Sequence, residues 1–164
     1  MIIHPLNLIK ALSLSLELST KGLSNHHWRT AVIANRIAEQ INLKPSEREN
    51  LVYAALLHDI GAAAHWAERS SLKELYLKSH IYSHTQEGYN LLKICPRFDA
   101  LASTVLHHHD CWDGSGPAGL KGKEIPLLSR IIHLADRLEV QLRDDTYILE
   151  QVDGVFSHLK EMSG

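Results

Sequence analysis

An imidazole and a carboxylate stand side by side at His58 and Asp59, at the end of an apolar run. Gly61 follows two residues after Asp59, at a position where a helix would end. Both groups are ligand types for a borderline divalent metal ion, and in the last turn of a helix both can point at one ion. The alternative is a buried histidine hydrogen-bonded to its neighbour, and for an isolated pair this is the better interpretation. The choice between a metal site and a hydrogen-bonded buried histidine therefore depends on the other histidines and aspartates.

Histidine is abundant in this chain, with 12 among 164 residues, and the histidines do not form one tract. Further candidate ligands, most of them at a predicted helix end or on a predicted buried stripe, are His26, His84, His108, His109 and Asp136. Scattered imidazoles with two aspartates, and without paired cysteines, argue against a structural zinc finger. They suit a two-ion site that holds Fe, Mn or a similar metal.

Asp136 falls four residues after Ile132, on the apolar face of a predicted helix. A carboxylate directed at a core is costly unless it meets a cation. That cation could be a metal ion, or it could be a basic side chain such as Arg29 or Arg130.

Three other features each allow two interpretations. Gly88, four residues after His84, either leaves room beside that histidine or only permits close helix packing. The glycine-rich loop over 111–122 either brings backbone N–H groups close to an anion or is a connector. His26 and His27 are either site residues or solvated histidines in the first turn of a helix.

Apolar periodicity predicts a nearly all-helical chain, with no internal repeat and no low-complexity linker. The predicted helices cover 5–20, 25–42, 45–59, about 68–78, 84–95, about 97–109, 127–142 and about 146–160. Ser24 is a predicted N-cap, and Ser46 and Glu49 have the spacing of a capping box. The first helix is predicted to face inward through Leu8, Ala11, Leu12 and Leu16, with a strand over 12–16 as the weaker alternative.

Chain length and net charge limit the number of domains and the kinds of partner. The 164 residues suit one domain over 1–164, with a motif-bearing core over 24–142. A formal net charge of −2 provides no basic footprint for DNA or RNA. We expect no membrane insertion, because no apolar run is long enough to span and the start lacks a signal pattern. Cys95 and Cys111 are too few for a disulfide framework, so a cytoplasmic location is expected.

The motifs follow one another as His26, His58-Asp59-Ile60-Gly61, His84-x-x-x-Gly88, His108-His109-x-x-Trp112-Asp113-Gly114-Ser115-Gly116-Pro117, Arg130-Ile131 and Ala135-Asp136. This order, over about residues 24–140, resembles the HD-GYP branch of the HD phosphohydrolase superfamily. The resemblance implies an all-α helical bundle of the HD-domain type, with about six to eight helices and a metal centre.

The resemblance also implies the ligands, which are His26, His58, Asp59, His84, His108, His109 and Asp136, with Asp59 bridging the ions. The implied cofactors are two divalent transition-metal ions, first Fe or Mn, with Zn, Ni, Co or Mg as alternatives. Asp59 and Asp113 are the candidate catalytic residues. Five other histidines have no match in the ligand pattern and are expected to support the ligands or lie at the surface: His27, His65, His80, His107 and His133.

Active members of this branch hydrolyse cyclic di-GMP. The resemblance therefore implies a metal-dependent phosphodiesterase that acts on cyclic di-GMP or a related nucleotide through a metal-bridging hydroxide. The alternative is a weak or inactive module that binds a metal, a nucleotide or a partner protein in signalling. Diguanylate cyclase domains and a second copy of the chain are further expected partners.

Four positions depart from the family pattern. Ala62 stands where a lysine that assists phosphate binding or leaving-group protonation is usual. Gly116 is followed directly by Pro117, without the tyrosine of the family signature. Active members usually have an arginine, and often a lysine, beyond the last aspartate to bind the dinucleotide, whereas here Arg143 is the one candidate beyond Asp136. Gly22 replaces a glutamate ligand of three-metal members, which favours two ions over three.

Overall fold

The computed structural model describes residues 4–19, 25–63, 83–143 and 146–162. Within these ranges the chain forms seven α-helices and no strand, which confirms the all-α prediction. The helices are α1 Pro5–Ser19, α2 His26–Gln40, α3 Pro45–Leu57, α4 Ser83–Ile94, α5 Asp99–Leu106, α6 Leu127–Glu139 and α7 Ile148–Met162. The predicted helix over 68–78, the predicted Ser24 cap, and Gly22, His65 and His80 lie outside the described residues. No helix in the described ranges has the length and hydropathy needed to span a bilayer.

The cap of α3 differs from the prediction, although the helix starts at the predicted residue. The helix begins at Pro45, its N-cap is Lys44, and it has no side-chain cap hydrogen bond, so the predicted Ser46–Glu49 capping box is wrong. Proline lacks an N–H and has a helical φ, which lets the helix begin at Pro45 and places Ser46 inside the first turn. Asn25 precedes α2 in a left-handed conformation with φ 63°.

One hydrophobic core joins α2, α3, α5 and α6. Apolar periodicity predicts one stripe on α2, made of Ala31, Ala34, Ala38 and Ile41. The three alanines are buried, whereas Ile41 lies just beyond the end of the helix and is 50% exposed. The small alanine side chains allow α3 and α6 to pack closely on either side of α2. The larger core side chains come from the other helices and include Leu51, Leu56, Leu57, Leu101, Val105, Ile131 and Ile132. This packing buries the first turn of α2 beside the end of α3.

The first helix has a different register from the predicted one. Its buried side chains are Ile9, Ser13, Leu16 and Glu17. Leu8 and Leu12, predicted to face inward, are 44% and 37% exposed, and Ala11 is exposed as well. The reason is that Ser13 and Glu17 contact the start of α2, and these polar contacts orient the helix.

Two glycines allow the backbone of α4 to approach the turn that follows α3. A Cβ atom at Gly61 would lie 2.0 Å from the carbonyl oxygen of His84 and 2.4 Å from the nitrogen of Gly88. A Cβ at Gly88 would lie 2.9 Å from Cγ1 of Val105. Gly88 therefore permits close helix packing, and this packing places His84 beside Asp59.

We predict that Gly61→Ala destabilises the protein by at least about 1–3 kcal/mol, because the new methyl group would overlap backbone atoms that cannot easily move. Denaturant-induced unfolding of the metal-free protein measures this. Gly154→Ala in α7 is the matched control, since within the described ranges no atom beyond the local helix backbone lies within 4 Å of its Cβ position. We expect that variant to be unchanged or slightly more stable. Equal stabilities for the two variants would contradict the close approach described here.

Candidate metal centre

The Asp59 carboxylate lies between two sets of histidines just beyond the end of α3. Its Oδ2 atom lies 3.1 Å from Nε2 of His58, 3.5 Å from that of His27 and 3.9 Å from that of His26. All of these residues are buried. In this set, the four ligand atoms lie within 4.8 Å of one another, which is compact enough to surround one ion.

The other carboxylate oxygen faces the second set. Oδ1 of Asp59 lies 3.3 Å from Nε2 of His84 and 3.9 Å from Nε2 of His108. With His109, these residues form a second buried group whose ligand atoms also lie within 4.8 Å of one another. Asp59 thus belongs to both groups, as expected of a bridging carboxylate. We call the eight residues His26, His27, His58, Asp59, His84, His108, His109 and Asp136 the cluster.

His58 and His108 are oriented in the same way, at the ends of α3 and α5. Nδ1 of His58 donates to the carbonyl oxygen of Ala55 at 2.8 Å, and Nδ1 of His108 donates to that of Val105 at 2.6 Å. Both carbonyls lie three residues earlier, in the last helical turn, where backbone acceptors are unpaired. This bond orients each ring and directs its Nε2 atom into the cluster.

The first turn of α2 is held by the last turn of α6. Nδ1 of His26 donates to the carboxylate of Glu139, which also accepts from Nε of Arg29 at 2.6 Å. Glu139 is buried and was missed by the sequence analysis, although it lies three residues after Asp136 on the same helix face. A carboxylate on the outer nitrogen of a histidine orients the ring and raises its basicity as a ligand.

Asp136 of α6 lies beside the first set of histidines. It is fully buried, and its Oδ1 lies 3.3 Å from Nε2 of His26. Neither of its oxygens has a hydrogen-bond donor among the described residues. The arginine alternative is not realised there, because Arg29 pairs with Glu139 and Arg130 lies over the ring of Trp112. A buried carboxylate without such a partner fits a site for a cation.

The pKa shifts of Asp59, His108 and His109 favour the forms that bind a metal ion. Burial raises the pKa of Asp59, but the charge of the neighbouring His58 and the close imidazoles outweigh this and hold the pKa well below its usual range. Burial lowers the pKa values of His108 and His109 far enough to keep both rings neutral. His58 differs, since burial lowers its pKa but the adjacent Asp59 charge raises it to about 9.

His27 also lies in the cluster, although the ligand pattern did not include it. Its ring is buried and forms a triangle with those of His26 and His58, at centroid distances of 5.3 Å and 5.2 Å. Its Nε2 atom has no hydrogen-bond partner in the described part of the chain. The histidine pair at the start of α2 is therefore buried, which excludes the solvated alternative.

His107 and His133 have supporting positions, as expected. Nδ1 of His133 donates to the carbonyl oxygen of His108 at 2.8 Å, which ties α6 to the end of α5. Nδ1 of His107 lies 2.8 Å from Oδ2 of Asp110, a buried carboxylate whose Oδ1 accepts the N–H of Ala118 at 2.8 Å. Asp110 therefore anchors the glycine-rich loop, and the sequence analysis missed this role.

The structure does not bring Asp113 into the cluster. Its side chain is exposed, and its Oδ1 accepts from the N–H of Ser115 at 2.9 Å and from the hydroxyl at 2.7 Å. These bonds lower the pKa of Asp113 and close a turn of the loop. The catalytic role of Asp113 stays a prediction. Ala62, in contrast, is buried in the turn directly after Asp59.

A family model described as the HD domain matches residues 23–141. The chain is 31% identical over 147 residues to a cyclic di-GMP phosphodiesterase of Thermotoga maritima. It is 33% identical over 146 residues to the cyclic di-GMP phosphodiesterase response regulator RpfG of Xanthomonas campestris. These matches cover 85% of this chain, but the chain spans only 40% and 38% of those relatives.

Solved structures share the fold. A cyclic GMP-AMP-specific phosphodiesterase of Vibrio cholerae has a TM-score of 0.71 at 23% identity, covering 92% of this chain and 43% of that one. The HD domain of the Listeria monocytogenes phosphodiesterase PgpH, solved with cyclic di-AMP, has a TM-score of 0.59 at 18% identity. That match covers 93% of this chain and 84% of the other. The chain belongs to the HD domain family, and its predicted placement in the HD-GYP branch is confirmed.

Proposed function

We propose that this domain is a two-metal phosphodiesterase that hydrolyses cyclic di-GMP or a related cyclic dinucleotide. The observation that carries the proposal is the position of Asp59, whose two oxygens face separate buried sets of imidazoles. Relatives named as phosphodiesterases of cyclic di-GMP and of 3′3′-cGAMP support the substrate class.

In this proposal, the ligands form two groups that share Asp59. His26, His58 and Asp136 hold one ion, whereas His84, His108 and His109 hold the other, with Asp59 shared. Imidazole and carboxylate ligands suit Fe or Mn, with Zn, Ni, Co or Mg as alternatives. When bound, such ions would supply the activation of a water nucleophile and would neutralise charge on the phosphate oxygens.

The residues around the ligands have structural tasks in this chemistry. The carbonyls of Ala55 and Val105 hold His58 and His108 in the tautomer that binds a cation. Glu139 holds His26, so that its Nε2 remains beside Asp136. Because these supports are buried and rigidly paired, the charges need little rearrangement during the reaction.

A second function has support from one position. Ala62 offers a buried methyl group where the family usually has a lysine, and this residue can neither bind phosphate nor protonate a leaving group. The alternative is therefore a module that binds the metal ions and a nucleotide, or a partner such as a diguanylate cyclase domain, with little turnover. The tests below separate these functions.

We predict that the protein binds two transition-metal ions per chain after anaerobic reconstitution with Fe²⁺ or Mn²⁺. Asp59→Asn should lose both ions because both share this carboxylate, whereas His84→Ala should lose mainly one. His158→Ala, which removes an exposed histidine in α7, is the control and should retain two. Elemental analysis of the folded variants measures the stoichiometry. Absence of bound metal in the parent protein would refute the proposed centre.

We predict that the metal-loaded protein hydrolyses cyclic di-GMP, and that Asp59→Asn abolishes this activity. Product analysis by chromatography, with 3′3′-cGAMP and cyclic di-AMP in parallel, identifies the preferred substrate. A fully loaded protein that cleaves no cyclic dinucleotide would instead support the binding module. Equilibrium binding of the same nucleotides would then test that function.

We predict that Ala62→Lys increases the hydrolysis rate, because the new ammonium group can stabilise phosphate or protonate the leaving oxygen. General acid catalysis contributes about 10²–10⁴-fold, which is the upper range of the gain. Ala62→Met is the control, since it adds a similar length without a charge. Equal rates for the two variants and the parent would show that position 62 does not limit turnover.

A further inference from the structure

Helix α1 contacts the metal centre through the first turn of α2. The Glu17 carboxylate accepts the N–H of Asn25 at 3.0 Å and the N–H of His27 at 2.7 Å. The α2 N-cap has no side-chain cap hydrogen bond of its own, so Glu17 satisfies these donors from another helix. Both Glu17 and its neighbour on this face, Ser13, are buried.

The same two side chains also contact the outer nitrogen of the His27 ring. Nδ1 of His27 lies 3.2 Å from Oγ of Ser13 and 3.6 Å from Oε1 of Glu17. A carboxylate beside this nitrogen favours the tautomer with the proton on Nδ1. The lone pair then lies on Nε2, on the side of the ring that faces the cluster.

This lone pair is directed at another acceptor. Nε2 of His27 lies 3.5 Å from Oδ2 of Asp59, and it has no hydrogen-bond partner within the described ranges. Two acceptors facing each other in a buried site repel unless a cation lies near both. The ring is only 1% exposed, so water does not compensate for this repulsion.

We propose that His27 is a metal ligand on the His26–His58 side of the centre, and that Ser13 and Glu17 are its positioning residues. The inference rests on the proposed two-ion centre and adds one ligand to the seven that the family pattern implies. Each ion would then have three imidazoles and a share of Asp59, and the first ion would also have Asp136. A third nitrogen ligand leaves the first ion fewer open positions for water and substrate.

The experiment is a titration of the full chain with Co²⁺ in competition with a chelator, followed by visible spectroscopy. For His27→Gln, we expect the affinity for one ion to fall by at least about 10–100-fold. Removal of a side chain that only orients a metal ligand already lowers metal affinity by about this factor. The absorption of that ion should change, because its ligand set changes. Ser13→Ala should shift the same affinity in the same direction, by about 10-fold. His158→Gln is the matched control and should behave as the parent protein.

Two outcomes distinguish this inference from the proposed function. A parent protein that binds two ions, with His27→Gln unchanged in both affinities and in its spectrum, overturns the role of His27 and leaves the two-metal centre in place. A parent protein that binds none overturns both. Circular dichroism checks that each variant folds. If His27→Gln does not fold, Ser13→Ala decides the question, and an unchanged affinity and spectrum in that variant overturns the inference.

Discussion

The structure depends on the burial of the Asp59 carboxylate among imidazoles. A buried anion is costly unless positive charge lies close to it on several sides. Here the histidines approach both oxygens, and the charge of His58 helps to hold the pKa of Asp59 well below its usual range. The fold must therefore bring four separate helix ends to one carboxylate while excluding water.

Helix ends suit this task because their backbone groups are unpaired. At the ends of α3 and α5, carbonyls three residues back bind the outer nitrogens of His58 and His108. At the start of α2, a carboxylate from α1 accepts hydrogen bonds from backbone N–H groups, and a carboxylate from α6 accepts one from the His26 ring. Each support satisfies a backbone or ring atom and orients a cluster residue at the same time, which couples the stability of the helix ends to the geometry of the site.

Close packing completes the arrangement. Gly61 and Gly88 let α4 approach the turn after α3 with backbone against backbone, so His84 lies within 3.3 Å of Asp59. On the opposite side, the alanine stripe of α2 gives α6 room to place Asp136 beside His26. The missing side chains at these positions matter as much as the ligands, because an added carbon would separate the helices that carry them.

The sequence could predict the features that are set by residues close together along the chain. Ligand types and helical periodicity depend on neighbouring residues, so the all-α fold and the placement of Asp136 on an apolar helix face follow from the sequence. The shared site of His58, Asp59 and Asp136 was implied by the resemblance to the HD-GYP branch. Tertiary structure decided the rest. The bond between His26 and Glu139 joins residues 113 positions apart, and no local pattern reports it. The same holds for the rotation of α1, which buries Ser13 and exposes Leu12, and for the direction of His27. Which face of a helix meets a site is set by its partners in space, and those partners exist only in the folded chain.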